Sequence, residues 1–91
     1  MLLAKVVGPV VMSVKHPALA DEKVLLVQPC DHLERAAGSA FMAIDRAQAG
    51  EGDRVLVLRE GTGIRQILGR ANESVPIRSM IVGIVDQVTH A

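Results

Sequence analysis

Alternate positions at the start of the chain are apolar or small: Leu2, Ala4, Val6, Gly8, Val10, Met12 and Val14. The positions between them, Leu3, Lys5, Val7, Pro9, Val11, Ser13 and Lys15, are mixed. A period of two with one continuous apolar face predicts a β-strand laid against a core. Gly8-Pro9 in its middle predicts a bulge or bend, since proline cannot donate to a ladder and glycine inside a strand marks such an irregularity. Four further apolar stretches follow. Lys23–Cys30 sets Leu25 and Val27 on one face and Val24 and Leu26 on the other. Arg54–Arg59 does the same with Val55 and Val57 against Leu56 and Leu58, Ala40–Asp45 is shorter, and Met80–Val88 ends the series. Strands apolar on both faces are usual where helices cover a sheet. Here only Gly63–Arg70 reads as a helix, of about two turns. The second apolar face is therefore expected to meet another chain, which points to an oligomer.

Turn chemistry separates the stretches at Ala36-Ala37-Gly38-Ser39 and at Ala49-Gly50-Glu51-Gly52-Asp53. Glu60–Ile77 is a longer excursion that carries the short helix. The pattern predicts an all-β fold: a small five-stranded closed β-barrel of the oligonucleotide-binding (OB-like) type, with one short helix between the fourth and fifth strands. Residues 1–91 form a single domain in this reading, as the length allows. Val6-Val7-Gly8 and Ile81-Val82-Gly83 echo one another, which suggests that the first and last strands meet to close the barrel.

Composition sharpens this. Thirteen valines, nine leucines and six isoleucines stand against one phenylalanine, with no tyrosine or tryptophan. β-branched residues favour strands, so the core is expected to be aliphatic. Ten basic residues balance ten acidic ones, so no net field draws in nucleic acid or an anionic membrane. The longest apolar run near the start, Val6–Met12, is too short to span a bilayer. The single cysteine gives no internal disulfide. A soluble cytoplasmic protein is expected.

The candidate chemistry is thin. Cys30-Asp31-His32 is the obvious thiol candidate, but a cysteine nucleophile needs a positioned base and a pocket for its electrophile. A zinc site needs about four ligands, and His16 and His90 lie far off in sequence. Gly61-Thr62-Gly63 before the helix resembles a phosphate-cradling turn, yet Gln66 stands where a dinucleotide fingerprint needs a third glycine. Asp21, Glu22, Glu51 and Asp53 fall in turns. Asp45 and Asp86 each end an apolar strand, where hydrogen bonding to a turn or pairing with an arginine is the favoured role. No catalytic, cofactor-binding or metal-binding residue is assigned and no enzyme is expected. The alternative is an OB-like barrel that binds an oligonucleotide or other ligand. Such barrels stack bases on aromatic side chains, and Phe41 is the only aromatic here.

An ordered set of motifs carries a resemblance. Gly8 with Val10-Val11, Leu25-Leu26-Val27-Gln28-Pro29, Ala43-Ile44-Asp45 and Ala49-Gly50-Glu51-Gly52-Asp53 come first. Val55-Leu56-Val57-Leu58-Arg59, Gly61-Thr62-Gly63-Ile64-Arg65-Gln66, Pro76-Ile77 and Ile81-Val82-Gly83-Ile84-Val85-Asp86 follow. Together they resemble the bacterial microcompartment vertex proteins, pentameric shell proteins of carboxysomes and of ethanolamine- and propanediol-degrading organelles. The resemblance implies a small β-barrel and an architectural role: a homopentamer that plugs a five-fold vertex among hexameric shell proteins, in the shell of a cytoplasmic compartment. It implies no catalytic residue, no cofactor, no nucleic acid and no membrane. It also implies that Gly61, Thr62, Gly63, Ile64 and Arg65 form a loop toward the five-fold axis. The family's usual Gly-Ser-Ser-Ala-Arg is altered here at Thr62, Gly63 and Ile64. Ala47-Gln48 replace Val-Gly, and Arg78 replaces an acid. The short Thr89-His90-Ala91 end and the Lys15-His16-Pro17-Ala18-Leu19 segment lean toward a catabolic compartment of propanediol, ethanolamine or glycyl-radical type.

Overall fold

Five strands close into a barrel in the computed structural model, which describes residues 1–11, 17–19, 21–59 and 77–85. They are β1 (Leu2–Pro9), β2 (Val24–Pro29), β3 (Phe41–Asp45), β4 (Arg54–Leu58) and β5 (Met80–Ile84), and a 3-10 turn spans Pro17–Leu19. Each strand falls within one of the five apolar stretches. Around the barrel the order is β1-β2-β3-β5-β4, with β4 returning to β1. All neighbours are antiparallel except β3 and β5, which run parallel over Ile44↔Met80 and Asp45↔Ile81.

The period-two face of β1 points inward as expected: Ala4 and Val6 are buried while Lys5 and Val7 are exposed. They meet Leu25 and Val27 of β2, Ala43 of β3, Val55 and Val57 of β4, Ile81 of β5 and Ala49 in one cluster. A barrel this narrow is filled by side chains. Aliphatic residues do so here, and fully burying each Val, Leu or Ile contributes about 1.5–3 kcal/mol.

The other face of the strands is only partly open. Val24, Ile44 and Met80, which lie outside the barrel, are covered by Leu19 and Ile77, with Val10 and Leu58 packed alongside. The chain thus folds its own connections over one part of the second apolar face, and another copy is not needed there. The barrel also closes differently from the expectation. β1 pairs with β4, and β5 lies between β3 and β4, so the first and last strands are not neighbours. The resemblance of Val6-Val7-Gly8 to Ile81-Val82-Gly83 has another basis: each is a β-bulge. The register shifts between Val6 and Gly8 against β2, leaving Val7 unpaired. It shifts again where Leu56 pairs with Gly83 and Val57 with Ile81, leaving Val82 unpaired. The short helix expected over Gly63–Arg70 lies outside the described residues.

Candidate functional site

The charged side chains at the ends of the strands are engaged with their own backbone. Asp45 ends β3 with its side chain 1% exposed. Its Oδ1 accepts from the Ala47 N–H at 3.0 Å and its Oδ2 from the Ala49 N–H at 3.0 Å. Lys23 Nζ lies 3.5 Å from Oδ2 and donates to the Ala49 carbonyl at 3.0 Å. This is the local capping that Asp provides in turns. It holds Gln48 at φ 55° and anchors Ala49 in the core. The expectation of a turn role for Asp45 holds, with lysine rather than arginine as the cation. Glu22, its side chain nearly buried, meets Arg46 at 2.7 Å, and Asp53 accepts from the Gly50 N–H at 2.8 Å. These carboxylates brace turns, and Asp86 lies outside the described residues.

Cys30, Asp31 and His32 do not form a reactive set. Cys30 bridges Ala36 and is buried, and the chain between them bends out as a short loop. Asp31 organises that loop: its Oδ1 accepts from the Leu33 and Arg35 N–H groups at 2.9 and 3.0 Å, and its Oδ2 from Arg35 Nε at 2.9 Å. The Arg35 N–H first, then the Leu33 N–H and the Arg35 guanidinium, hold the Asp31 carboxyl below its ordinary range. Burial pushes the Cys30 thiol up, the charges of Glu34 and Asp31 push it further, and Arg54 and Lys5 only partly oppose them. A nucleophilic cysteine needs the opposite shift. His32 is exposed on the loop. Among the described residues no three His, Cys, Asp or Glu side chains converge as metal ligands.

An open hollow of about 380 Å³ lies beside this loop, and Val7, Cys30, Ala36, Lys5, Glu34 and Glu51 are among the residues that line it. Glu34 is already paired with Arg54 at 3.4 Å. The sole aromatic, Phe41, packs against the barrel core, and the Arg59 guanidinium covers its face 4.2 Å from the ring centre. That ring is not an open stacking platform of the kind base-binding barrels present. The candidate loop Gly61-Thr62-Gly63-Ile64-Arg65 lies outside the described residues.

What the surface does offer is apolar. Val7, Met42, Leu56, Val82 and Ile84 project from β1, β3, β4 and β5, and each is more than a third exposed. Leu33 is exposed at the tip of the 31–35 loop. Sequence periodicity marked the strands as two-sided but could not separate outer residues covered by the chain from those left open. That distinction depends on where the segments around Leu19 and Ile77 come to rest.

Comparison with known proteins places this barrel among shell proteins. The family model described as "Ethanolamine utilisation protein EutN/carboxysome" matches residues 1–86. The Escherichia coli K12 bacterial microcompartment shell vertex protein EutN is 38% identical over 88 residues, covering 97% of this chain and 90% of that protein. The carboxysome shell vertex protein CcmL of Synechocystis is 38% identical over 91 residues, covering 100% and 88%. Among solved structures, the GrpN pentameric microcompartment shell protein from Rhodospirillum rubrum superposes with a TM-score of 0.82 at 33% identity, covering 100% of both chains. Escherichia coli EutN superposes with a TM-score of 0.83 at 36% identity, covering 99% and 90%.

Proposed function

The chain belongs to the EutN/CcmL family, and from that membership we propose that it is a structural shell protein whose homopentamer caps the five-fold vertices of a bacterial microcompartment. The observation that carries the reading is the likeness to a pentameric shell protein, which covers 100% of both chains. A five-membered ring is built from one heterologous contact repeated five times, and such a contact requires two different surface patches on each subunit. The exposed apolar residues on β1, β3, β4 and β5 supply material for it. The partners are hexameric shell proteins, because a flat layer of six-fold tiles cannot close without five-fold points. We take the compartment to be a catabolic one, because relatives named for ethanolamine utilisation are among those the chain matches. The role is architectural rather than catalytic. The carboxylates and thiol described above serve turns and core. From the family resemblance we also propose that the loop Gly61-Thr62-Gly63-Ile64-Arg65 faces the five-fold axis, where Gly63 and Ile64 would set the width and apolar character of any opening.

Co-assembly tests this reading. Hexameric shell proteins of a catabolic compartment, mixed with the chain, should yield closed shells with five-fold density at their corners. Open sheets or tubes, unchanged by its addition, would contradict the vertex role. For the loop, Thr62→Cys in a Cys30→Ala background should form crosslinks between subunits of the ring. Absence of intersubunit crosslinks in an intact ring would move the loop away from the axis.

A further inference from the structure

Gly8 and Gly83 occupy strand interiors, where glycine weakens a strand unless something requires it. Nothing among the described residues requires it here. The positive-φ glycines among the described residues are Gly38 and Gly52, so neither Gly8 nor Gly83 is held by a left-handed backbone. A side chain built at either would meet nothing within 4 Å, so neither is demanded by close packing within the described residues. Nor does a bulge demand glycine when its backbone has negative φ.

The surroundings of the two glycines match. Gly8 follows the unpaired Val7 and pairs with Leu26, which in turn pairs with Met42. Gly83 follows the unpaired Val82 and pairs with Leu56, which in turn pairs with Leu3. Each glycine therefore lies on the outer surface beside a bulged valine and opposite a leucine, in a patch with exposed apolar side chains: Val7 and Met42 in one, Leu56 and Val82 in the other. The first patch centres on β2 and the second on β4, two positions apart in the ring of five strands. They look in different directions, as two halves of a head-to-tail contact must.

We infer that these two glycine-centred patches are the opposing halves of the contact between copies of this chain: the Val7-Gly8-Leu26-Met42 face of one subunit seats against the Leu3-Leu56-Val82-Gly83 face of the next. The missing side chains leave room for the neighbour's projecting valine and leucine to approach the strand backbone. This deepens the ring proposed above and rests on it.

Native mass spectrometry of the full chain and two variants, Gly8→Leu and Gly83→Leu, tests it, with circular dichroism as the check on folding. The native chain should run as a ring of five 9.7 kDa subunits. Each variant should retain β-structure and run as a monomer, because one face is filled and the other has no partner. Mixed together, the two variants should form a heterodimer that grows no further, since each contributes its one intact face. Variants that still form the native ring would overturn the assignment. So would single variants that dimerise by themselves, which would mean each patch pairs with its own kind. Should Gly83→Leu or Gly8→Leu fail to fold, Leu56→Lys and Met42→Lys, at exposed positions of the same two patches, should give the same monomers and the same heterodimer. Leu33→Lys, equally apolar but outside both patches, should leave the ring intact, and loss of the ring there with patch variants unaffected would relocate the contact. A native chain that forms no ring would instead contradict the pentamer itself.

Discussion

Replacing Asp45 by alanine should be the most damaging single change among the charged residues described, and the structure says which of its contacts matter. Two effects compete. One is the ion pair with Lys23, 3.5 Å long and with the lysine side chain 56% exposed, and such exposed pairs contribute only about 0–1 kcal/mol. The other is the capture of two backbone N–H groups, of which that of Ala49 is buried and that of Ala47 partly so. A buried donor left without an acceptor costs about 1–3 kcal/mol. The backbone bonds therefore dominate, and Asp45→Ala should lose about 2–4 kcal/mol. For a domain of this size that is a fall in Tm of roughly 10–25 °C. Lys23→Met, which keeps the aliphatic stem, should lose less than about 1 kcal/mol. Asp45→Asn should fall between, since the amide retains one acceptor but turns a second donor toward an N–H. Thermal and urea unfolding at fixed subunit concentration provide the comparison, because subunit association adds to apparent stability. A Lys23→Met loss equal to that of Asp45→Ala, or an Asp45→Ala loss under about 0.5 kcal/mol, would refute the turn-capping argument.

Cys30 should react with iodoacetamide far more slowly in the folded protein than in urea, since burial shields the thiol and pushes its ionisation up from 9.0. Because the folded pKa is the higher one, the neutral thiol's contribution to stability is complete below the unfolded value. It is lost as pH rises from there through the folded one, so native stability should be more alkali-sensitive than that of Cys30→Ala. Gln48→Gly should raise the unfolding free energy slightly, by up to about 1 kcal/mol, because φ 55° strains any residue with a Cβ; Gly52→Ala at φ 86° should lower it. Subunit association driven by aliphatic patches should survive molar salt, and dissociation at moderate salt would point to charged contacts instead.

The strands were legible because their signal is local. Alternation from Leu2 to Val10 marks the inward face of β1, and Gly8-Pro9 announces the bulge before it is seen. The role of Asp45 was half legible too, since an aspartate that ends an apolar run and enters a small-residue turn has few other uses; its lysine partner, 22 positions earlier, was not. Closure was misread. Which strands lie side by side depends on contacts between distant segments, and the likeness of the two Val-Gly pairs reflects a shared bulge rather than a shared edge. The outer cluster of Leu19, Val24, Ile44, Ile77 and Met80 was invisible for the same reason: its members belong to four separate stretches of chain with no common period. The axis loop Gly61–Arg65 was drawn from family resemblance alone, and no periodicity or hydrogen-bonding pattern in those residues places it.

The central claim is a ring of five, and native mass spectrometry of the untagged chain tests it most directly. With a subunit of 9.7 kDa, a dominant species at five times that mass is the expected result. A six-membered ring would keep the shell-type association but remove the vertex role, and a stable monomer at micromolar concentration would contradict the claim outright.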